Sequence, residues 1–185
     1  LGHTTTSEYD AAGHLIFETN AEGGVTTYRY DAQGFPISVT DAAGATQTYR
    51  YDVMGNMVER TLPNGATIRT DYDESGNVIR EVNELGGETT VEYDLLGRII
   101  AITDPMGAAT AYSYDANGNL LSVTDALGNV TAYEYDALNR VTAEIAPNGG
   151  KIVYAYDCVG NIIETTDALG HTTTYSYDAA GNLIG

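Results

Sequence analysis

The chain has 185 residues with 26 acidic side chains against 8 basic ones, which gives a formal net charge of −18. This charge disfavours nucleic acid or an anionic membrane as a partner, because both attract cationic surfaces. Hydrophobic residues make up 43% of the chain, too many for a disordered acidic tail, and no run approaches the roughly 20 apolar residues of a membrane-spanning helix. We therefore predict a folded chain that neither binds nucleic acid nor inserts into a membrane.

The whole sequence is a tandem repeat with a period of 21 residues. With tyrosine as position 1, the unit reads Y-D-x-x-G-N-h-h-x-x-T-D-x-x-G-x-x-T-x-Y-x, where h is apolar. The Tyr-Asp dipeptide occurs without insertion or deletion at Tyr9, Tyr30, Tyr51, Tyr72, Tyr93, Tyr114, Tyr135, Tyr156 and Tyr177. The pattern predicts one continuous array of about nine repeats over residues 1–185, without a domain boundary. Because the chain begins with Leu1 instead of Met, we expect it to be a segment of a longer chain.

The sequence pattern of each unit predicts two turns and two strands in a fixed order. The first turn runs from position 2 to position 5, as in Asp115 to Gly118, and the second from position 12 to position 15, as in Asp125 to Gly128. Asp favours the first corner of a type I turn because its carboxylate caps the turn amides, and Gly accepts the positive φ at the fourth. The segments between the turns, about six or seven residues long and rich in Thr, Val, Ile and Tyr, have the length and composition of strands.

Substitutions within the turns fit this interpretation. Asn139 replaces Gly once, and Asn is the non-glycine residue that best tolerates positive φ. Pro63, Pro105 and Pro147 fall at the second corner, where the fixed φ of proline suits the turn. We therefore predict an all-β fold of tandem 21-residue β-hairpins. They form one long antiparallel sheet of up to about 18 strands, coiled into a spiral shell or tube because wide sheets twist.

The alternation of residues predicts that one face of the sheet is wetter than the other. Positions 20 and 1, such as Tyr133 and Tyr135, share a face, whereas Glu134 at position 21 points to the opposite one. The tyrosine face is therefore predicted to be the more buried. Positions 7 and 8 are both apolar, as in Leu120 and Leu121, which suits a wall that has contacts on both sides.

The unit that begins Tyr114-Asp115-Ala116-Asn117-Gly118-Asn119-Leu120 closely resembles the RHS/YD-repeat family, and the resemblance covers essentially all of the chain. It implies a long antiparallel sheet that spirals into a hollow shell. In polymorphic bacterial toxins and in the cocoon components of insecticidal toxin complexes, such a shell encloses a toxic C-terminal domain. Related repeats occur in bacterial wall-associated proteins and in the teneurin adhesion receptors of animals. The implied function is a non-enzymatic β-sheet wall of an exported bacterial protein, forming part of a shell around a toxin cargo.

The resemblance leaves the contents of the shell open. Asp104-Pro105-Met106-Gly107 has the letters of the DPxG signature of the family's core segment, but it lies in register with the turn at Asp125 and is an ordinary turn. An open-ended extracellular fibre, tube or adhesin is an alternative function, and a carbohydrate-binding surface module is another. The expected partners are neighbouring repeats of a longer chain or further copies of the chain, and an encapsulated toxin domain under the shell hypothesis. The expected location is extracellular or at the bacterial cell surface.

No residue is predicted to be catalytic or to bind a cofactor or a metal ion. The aspartates of stacked turns could supply oxygen ligands to calcium. We do not predict calcium sites, because one Asp in each turn is already used to cap that turn. His3, His14 and His171 lie in turns without a second ligand at a suitable spacing. Cys158 has no histidine nearby in the sequence to activate it. Repeated carboxylates indicate a solvated wall, and tyrosines beside Thr and Ile indicate sheet packing more than stacking on sugar rings.

A longer period is also compatible with the sequence. Residues 1–15 and 169–183 agree at 12 of 15 positions, at an offset of eight units. Either both segments have converged on the repeat consensus, or the array has a higher-order period of eight units.

Overall fold

The computed structural model describes residues 4–185, and its regular structure consists of β-strands. The strands are β1 (Thr6–Tyr9), β2 (Leu15–Thr19), β3 (Val25–Tyr30), β4 (Pro36–Thr40), β5 (Thr46–Tyr51), β6 (Met57–Thr61), β7 (Thr67–Tyr72), β8 (Val78–Val82), β9 (Glu88–Tyr93), β10 (Ile99–Thr103), β11 (Ala109–Tyr114), β12 (Leu120–Thr124), β13 (Val130–Tyr135), β14 (Val141–Ile145), β15 (Lys151–Tyr156), β16 (Ile162–Thr166) and β17 (Thr172–Thr174). Residues 4–185 form no helix that is long and apolar enough to cross a membrane. The predicted all-β fold is confirmed.

The strands belong to one 17-stranded sheet, in which each strand pairs antiparallel with the next along the chain. Each 21-residue unit therefore contributes two strands, and the predicted tandem hairpins of a long antiparallel sheet are confirmed. Beyond β17, Tyr177 and Leu183 form an isolated antiparallel bridge instead of a further strand pair.

The chain divides into two compact units, Leu1–Val91 and Glu92–Gly185. In the first unit, turns of the first type join β1 to β2, β3 to β4, β5 to β6 and β7 to β8. In the second unit, such turns join β11 to β12, β13 to β14 and β15 to β16. The same hairpin thus recurs within each unit. The expectation of a single array that belongs to a longer chain stays a prediction.

Both kinds of turn have the predicted geometry. The N–H of Gly128 donates to the carbonyl of Asp125 at 2.9 Å, and Gly128 has a φ of +83°. The Oδ1 atom of Asp125 caps the turn by accepting the N–H groups of Leu127 and Asn129 at 2.9 and 2.8 Å. Asn139 has a φ of +61° and is the one non-glycine residue with positive φ in the described range. The predicted role of Asn139 as a glycine substitute is therefore confirmed.

Two second turns lack an Asp or Asn at their first corner and are capped from another position. Leu62 occupies this corner, and the Oδ1 atom of Asn64 accepts the N–H of Ala66 at 3.0 Å. The turn that starts at Ala146 is built in the same way, with Asn148 as the cap. The loss of the first-corner side chain is therefore compensated two residues later, within the same turn.

A shift of register explains why two consecutive positions are apolar. In the hairpin of β11 and β12, Ser113 pairs with Ser122 but Tyr114 pairs with Leu120, so that Leu121 is passed over. The same shift recurs just before the tyrosine of position 1 in the other hairpins of both units. At such a bulge two consecutive residues oppose a single partner. In the example, position 7 (Leu120) pairs with the tyrosine and position 8 (Leu121) is the extra residue of the bulge, so the two apolar residues are not equivalent in the ladder; the expectation that the wall has contacts on both sides stays a prediction.

The sheet has almost no core of its own. Among residues 4–185, Ala143 is the one residue that is buried, with 1% of its surface exposed. Tyr133 and Tyr135 are half-buried, and Glu134 between them is exposed. The predicted difference between the two faces is present, but neither face is covered.

Candidate functional site at the tyrosine-aspartate turns

Within residues 4–185, side-chain hydrogen bonds are concentrated at the first turn of each unit. We define the tyrosine-aspartate turn as positions 1 to 7 of a unit, which correspond to Tyr114–Leu120 in one example. Its tyrosine ends one strand, its aspartate and glycine form the turn, and position 7 begins the next strand. The turn is therefore the place where the repeat can join one hairpin to the next.

The aspartate of the turn uses both of its carboxylate oxygens. Oδ1 of Asp115 accepts the N–H groups of Asn117 and Asn119 at 2.9 and 2.8 Å, and Oδ2 accepts the Nδ2 of Asn119 at 2.8 Å. The side-chain hydrogen bond from Asn119 holds the pKa of Asp115 below its usual value, and the backbone N–H groups act in the same direction. The carboxylate is thus an ionised cap whose acceptors are occupied by its own turn.

Position 6 has a role that the sequence analysis did not predict. Its side chain donates to, or pairs with, the second carboxylate oxygen of the same turn in eight units: His14, Asn56, Asn77, Arg98, Asn119, Arg140, Asn161 and Asn182. The sequence contains a signal for this role, because each of these side chains carries an N–H donor and follows the turn aspartate by four residues. Phe35 takes this position in the remaining unit and has no such donor.

The tyrosine at position 1 reaches back to the preceding hairpin through its hydroxyl group. The hydroxyl of Tyr135 donates to the carbonyl of Leu120, 15 residues earlier, at 2.9 Å. The same bond, at 2.7 to 3.0 Å, is made by Tyr30, Tyr51, Tyr72, Tyr114, Tyr156 and Tyr177. The tyrosine is therefore a hydrogen-bonded link between units as well as an apolar residue of the sheet.

This link lies where the backbone pairing between hairpins has ended. The strands β12 and β13 pair only through residues 122–124 and 130–132, next to the second turn. Leu120 lies outside these pairs, and Tyr135 pairs with β14 instead. The hydroxyl of Tyr135 thus connects the two hairpins at the end that backbone hydrogen bonds leave unjoined.

Two arginines at position 6 strengthen the connection within the second unit. The guanidinium of Arg98 donates to Oδ2 of Asp94 at 2.7 Å and, through Nη1, to the backbone carbonyl of Asp115 at 3.0 Å. It also lies 4.6 Å from the centroid of the Tyr114 ring, within the range of a cation–π interaction. Arg140 makes the corresponding contacts in its own turn and in the next. Each arginine therefore joins its turn to both the ring and the backbone of the following one.

Aromatic side chains take the same place in the first unit. The rings of His14 and Tyr30 are stacked with centroids 4.7 Å apart, and those of Phe35 and Tyr51 with centroids 4.9 Å apart. A Cβ atom at Gly55 would lie 2.7 Å from Cζ of Phe35. A side chain at Gly55 would therefore have to displace the Phe35 ring, and it would also have to adopt the positive φ of that position.

The residues weighed as ligands or nucleophiles lie apart from one another. Nδ1 of His14 is 3.0 Å from Oδ2 of Asp10, Nδ1 of His171 is 2.9 Å from Oδ2 of Asp167, and Cys158 is exposed. His3 lies outside the described residues. Between residues 4 and 185, no three or more His, Cys, Asp or Glu side chains are grouped so that they could hold a metal ion. The expectation of no catalytic, cofactor or metal residue stays a prediction.

The turn carboxylates predict an acid-sensitive contribution to stability. The pKa of Asp115 is lowered in the folded chain, so its contribution is complete above the unfolded value of about 3.9 and is lost as the pH falls through the lower folded value. The variant Asp115→Asn should therefore be less stable than the wild type at pH 7, and the difference should shrink below about pH 4. Chemical unfolding from pH 7 to pH 2.5 measures this difference.

The variant Asp31→Asn is the matched control, because Phe35 offers the Asp31 carboxylate no side-chain donor. The two aspartates share the backbone cap. We expect a smaller loss of stability for Asp31→Asn at pH 7. A difference between wild type and Asp115→Asn that is unchanged down to pH 2.5 would contradict the assigned role of the carboxylate.

These contacts define a tandem-repeat β-hairpin protein, in which backbone pairing and the side chains of the tyrosine-aspartate turn join successive hairpins. The family model described as RHS Repeat matches residues 9–46, 30–67, 72–109, 93–126, 114–151 and 156–185. The chain belongs to the RHS-repeat family, as its sequence motif indicated.

One solved crystal structure shares the fold of this chain. The chain is similar to the crystal structure of TcdB2-TccC3-TEV, with a TM-score of 0.61 and 18% identity, over 97% of this chain and 12% of that chain. Similarities to the crystal structure of TcdB2-TccC3 and to the Photorhabdus luminescens Tc holotoxin pore also cover 97% of this chain, and 14% and 15% of those chains. Their identities are 18% and 17% and their TM-scores 0.38 and 0.29. Comparison with curated proteins finds no match.

Proposed function

We propose that this chain is a stretch of the β-sheet wall of a larger, exported bacterial RHS-repeat protein, in which the coiled sheet forms part of a shell around a toxin cargo. Membership of the RHS-repeat family and the fold shared with TcdB2-TccC3-TEV support the proposal. The chain spans 12% of that solved chain. The larger protein, its cargo and its export therefore belong to the proposal.

The observation that carries the proposal is a regular sheet with two open faces. Ala143 alone is buried in the described part of the chain, so the sheet is not held together by packing around a core. It is held by contacts between neighbouring hairpins, which is how repeat proteins distribute their stability along the chain. Such a sheet can be extended by further repeats without a change in design, as a wall requires. We infer that its role is mechanical and not enzymatic.

The bulge before each tyrosine supports the coiling of the wall. A bulge bends its strand and increases the local right-handed twist, and wide sheets twist in any case. In each of these hairpins the register shift lies between the residue at position 21 and the tyrosine at position 1. Equal bends at equal intervals add up in one direction, which favours a continuous coil.

An open-ended extracellular fibre, tube or adhesin is the second candidate. The uniform 21-residue spacing favours it, since no unit contains an insertion that would interrupt indefinite extension. In a fibre the expected partners are further repeats or copies of the chain, and no cargo is required.

Electron microscopy and limited proteolysis of the complete natural protein that contains this chain test the proposal. A shell predicts closed, hollow particles and a polypeptide segment that resists protease until the wall is opened by denaturant. A fibre predicts filaments and no protected cargo. Open, non-filamentous sheets with no protected segment would contradict both functions.

A further inference from the structure

Asp31 differs from the other aspartates of the tyrosine-aspartate turns because one of its carboxylate oxygens is unused. Its Oδ1 atom accepts the N–H groups of Gln33 and Phe35 at 3.0 and 2.9 Å. In the other eight turns, the side chain at position 6 occupies the second carboxylate oxygen. Phe35 takes position 6 in this turn, and no side chain within residues 4–185 donates to Oδ2 of Asp31. This oxygen is therefore available to a donor from outside the chain.

The turn of Asp31 and the next turn border an open cavity of about 510 Å³. This volume lies in the range of ligand-binding pockets, about 300–1,000 Å³. Asp31, Phe35, Tyr49, Tyr51 and Met54 are among the residues that line it. The rings of Phe35 and Tyr51 are stacked with centroids 4.9 Å apart. The cavity thus combines a carboxylate that has a free oxygen with an aromatic surface, and both attract a planar cation.

The other charged groups of the cavity are already paired within the chain. Both carboxylate oxygens of Asp52 accept hydrogen bonds from its own turn. Arg50 also lines the cavity, and its Nη1 lies 3.5 Å from Oε1 of Glu59. The lining residues within 4–185 therefore carry two carboxylates and one guanidinium. The charge that remains is negative, and Asp31 is the group with a free acceptor.

Arg98 shows how a guanidinium group binds between two such turns. It donates to Oδ2 of Asp94 at 2.7 Å and to the backbone carbonyl of Asp115 at 3.0 Å. The corresponding acceptors at the cavity are Oδ2 of Asp31 and the carbonyl of Asp52, which have the same positions in the repeat. A guanidinium is a planar fork of five N–H donors, so it can reach two acceptors while its plane lies against an aromatic ring. An ammonium group carries its donors on a single atom and matches this arrangement less well.

We infer that this cavity binds a guanidinium group from outside the chain, with Asp31 as its anionic partner. The Phe35 ring takes the place over Tyr51 that Arg98 takes over Tyr114, so the ligand contacts Phe35 instead of the tyrosine. The ligand class is a guanidine, either a small molecule or an arginine side chain of a peptide. The inference holds whether the wall belongs to a shell or to a fibre.

An NMR titration of the isotope-labelled chain at pH 7 tests the inference with two probes. Ethylguanidinium represents a small molecule, and a capped Gly-Arg-Gly peptide represents an arginine side chain. We expect saturable shifts of the Gln33, Phe35 and Gly55 amides, with a dissociation constant in the millimolar range. The probe that binds more tightly identifies the source of the group. Ethylurea and the citrulline form of the peptide are uncharged controls of similar shape and should not bind.

Two asparagine variants test the carboxylate. Asp31→Asn removes its charge, and Phe35→Asn supplies the internal donor that Asn56 gives to Asp52. Both variants fit the turn, because Asn20 caps a second turn from the same corner and Asn56 occupies position 6 of the next unit. Each variant should weaken binding by about ten-fold or more, the effect of losing a hydrogen bond to a charged group.

The turn at Asp41 is the matched control within the chain. Oδ1 of Asp41 accepts the N–H groups of Ala43 and Ala45, no side chain within residues 4–185 donates to its Oδ2, and it does not line the cavity. The amides of this turn should therefore not shift with ethylguanidinium. The inference is overturned if neither probe gives saturable shifts, if the turns of Asp31 and Asp41 respond equally, if the uncharged controls bind as well, or if either variant binds with wild-type affinity.

Discussion

Replacing Tyr135 with alanine is expected to lower the free energy of local unfolding around β12 to β14 by about 2–4 kcal/mol. A fully buried aromatic residue costs about 3–5 kcal/mol when truncated to alanine, and Tyr135 is half-buried. The variant also removes the hydrogen bond from its hydroxyl to the carbonyl of Leu120, which contributes about 1 kcal/mol. Hydrogen exchange of the amides in these strands measures the change, because unfolding of a repeat array need not be a single two-state transition.

Phenylalanine variants separate the hydroxyl from the ring. Tyr135→Phe loses the bond to Leu120 and should reduce local stability by about 1 kcal/mol. Tyr133→Phe is the matched control, because the Tyr133 hydroxyl has no hydrogen-bond partner within residues 4–185 and its loss should have little effect. Equal effects of the two variants would show that the hydroxyl of position 1 does not join the hairpins.

Replacing Gly128 with valine should lower the local stability by about 1–3 kcal/mol, because it places a β-branched residue at positive φ. Gly128 has a φ of +83°, and a Cβ atom there would meet no atom within 4 Å. The expected loss of stability therefore comes from the backbone conformation at this position and not from a clash with a neighbouring residue. Hydrogen exchange at β12 and β13, on either side of this turn, gives the measurement.

Asparagine variants test the same turn geometry. Gly128→Asn should be much milder than Gly128→Val, as Asn139 already adopts a φ of +61° at the fourth corner of a first turn. Gly55→Asn should be more harmful than Gly128→Asn, since its Cβ would lie 2.7 Å from Cζ of Phe35. If valine and asparagine at position 128 destabilised the chain equally, positive φ would not be the reason for glycine there.

The local features of the fold could be predicted from the repeat because they depend on residues close in sequence. Asp125 and Gly128 belong to one turn, and the preferences of aspartate for its first corner and of glycine for positive φ act within four residues. The positive φ of Asn139 follows from the same preference. The shifted cap at Asn64 is equally local, and the Asn-Gly pair after Pro63 was its visible signal.

Contacts between hairpins could not be predicted in this way. The bond from Tyr135 to Leu120 spans 15 residues, and that from Arg98 to the carbonyl of Asp115 spans 17. Both depend on the register of strands that lie beside each other in the sheet. The register shift between Ser113 and Tyr114 depends on the same pairing of strands, and the apolar pair at positions 7 and 8 does not reveal it.

The sequence by itself determined the all-β class, the 21-residue hairpin, the two turn types and the family, because each depends on short-range preferences that the repeat presents nine times. Only the tertiary structure decided how the hairpins are joined. The tyrosine hydroxyls, the arginines at position 6 and the His14 ring that stacks on Tyr30 use partners in the next or preceding unit. The spacing of residues along the chain shows which residue types recur in each unit. The pairing of strands decides which of these residues lie within hydrogen-bonding distance of one another.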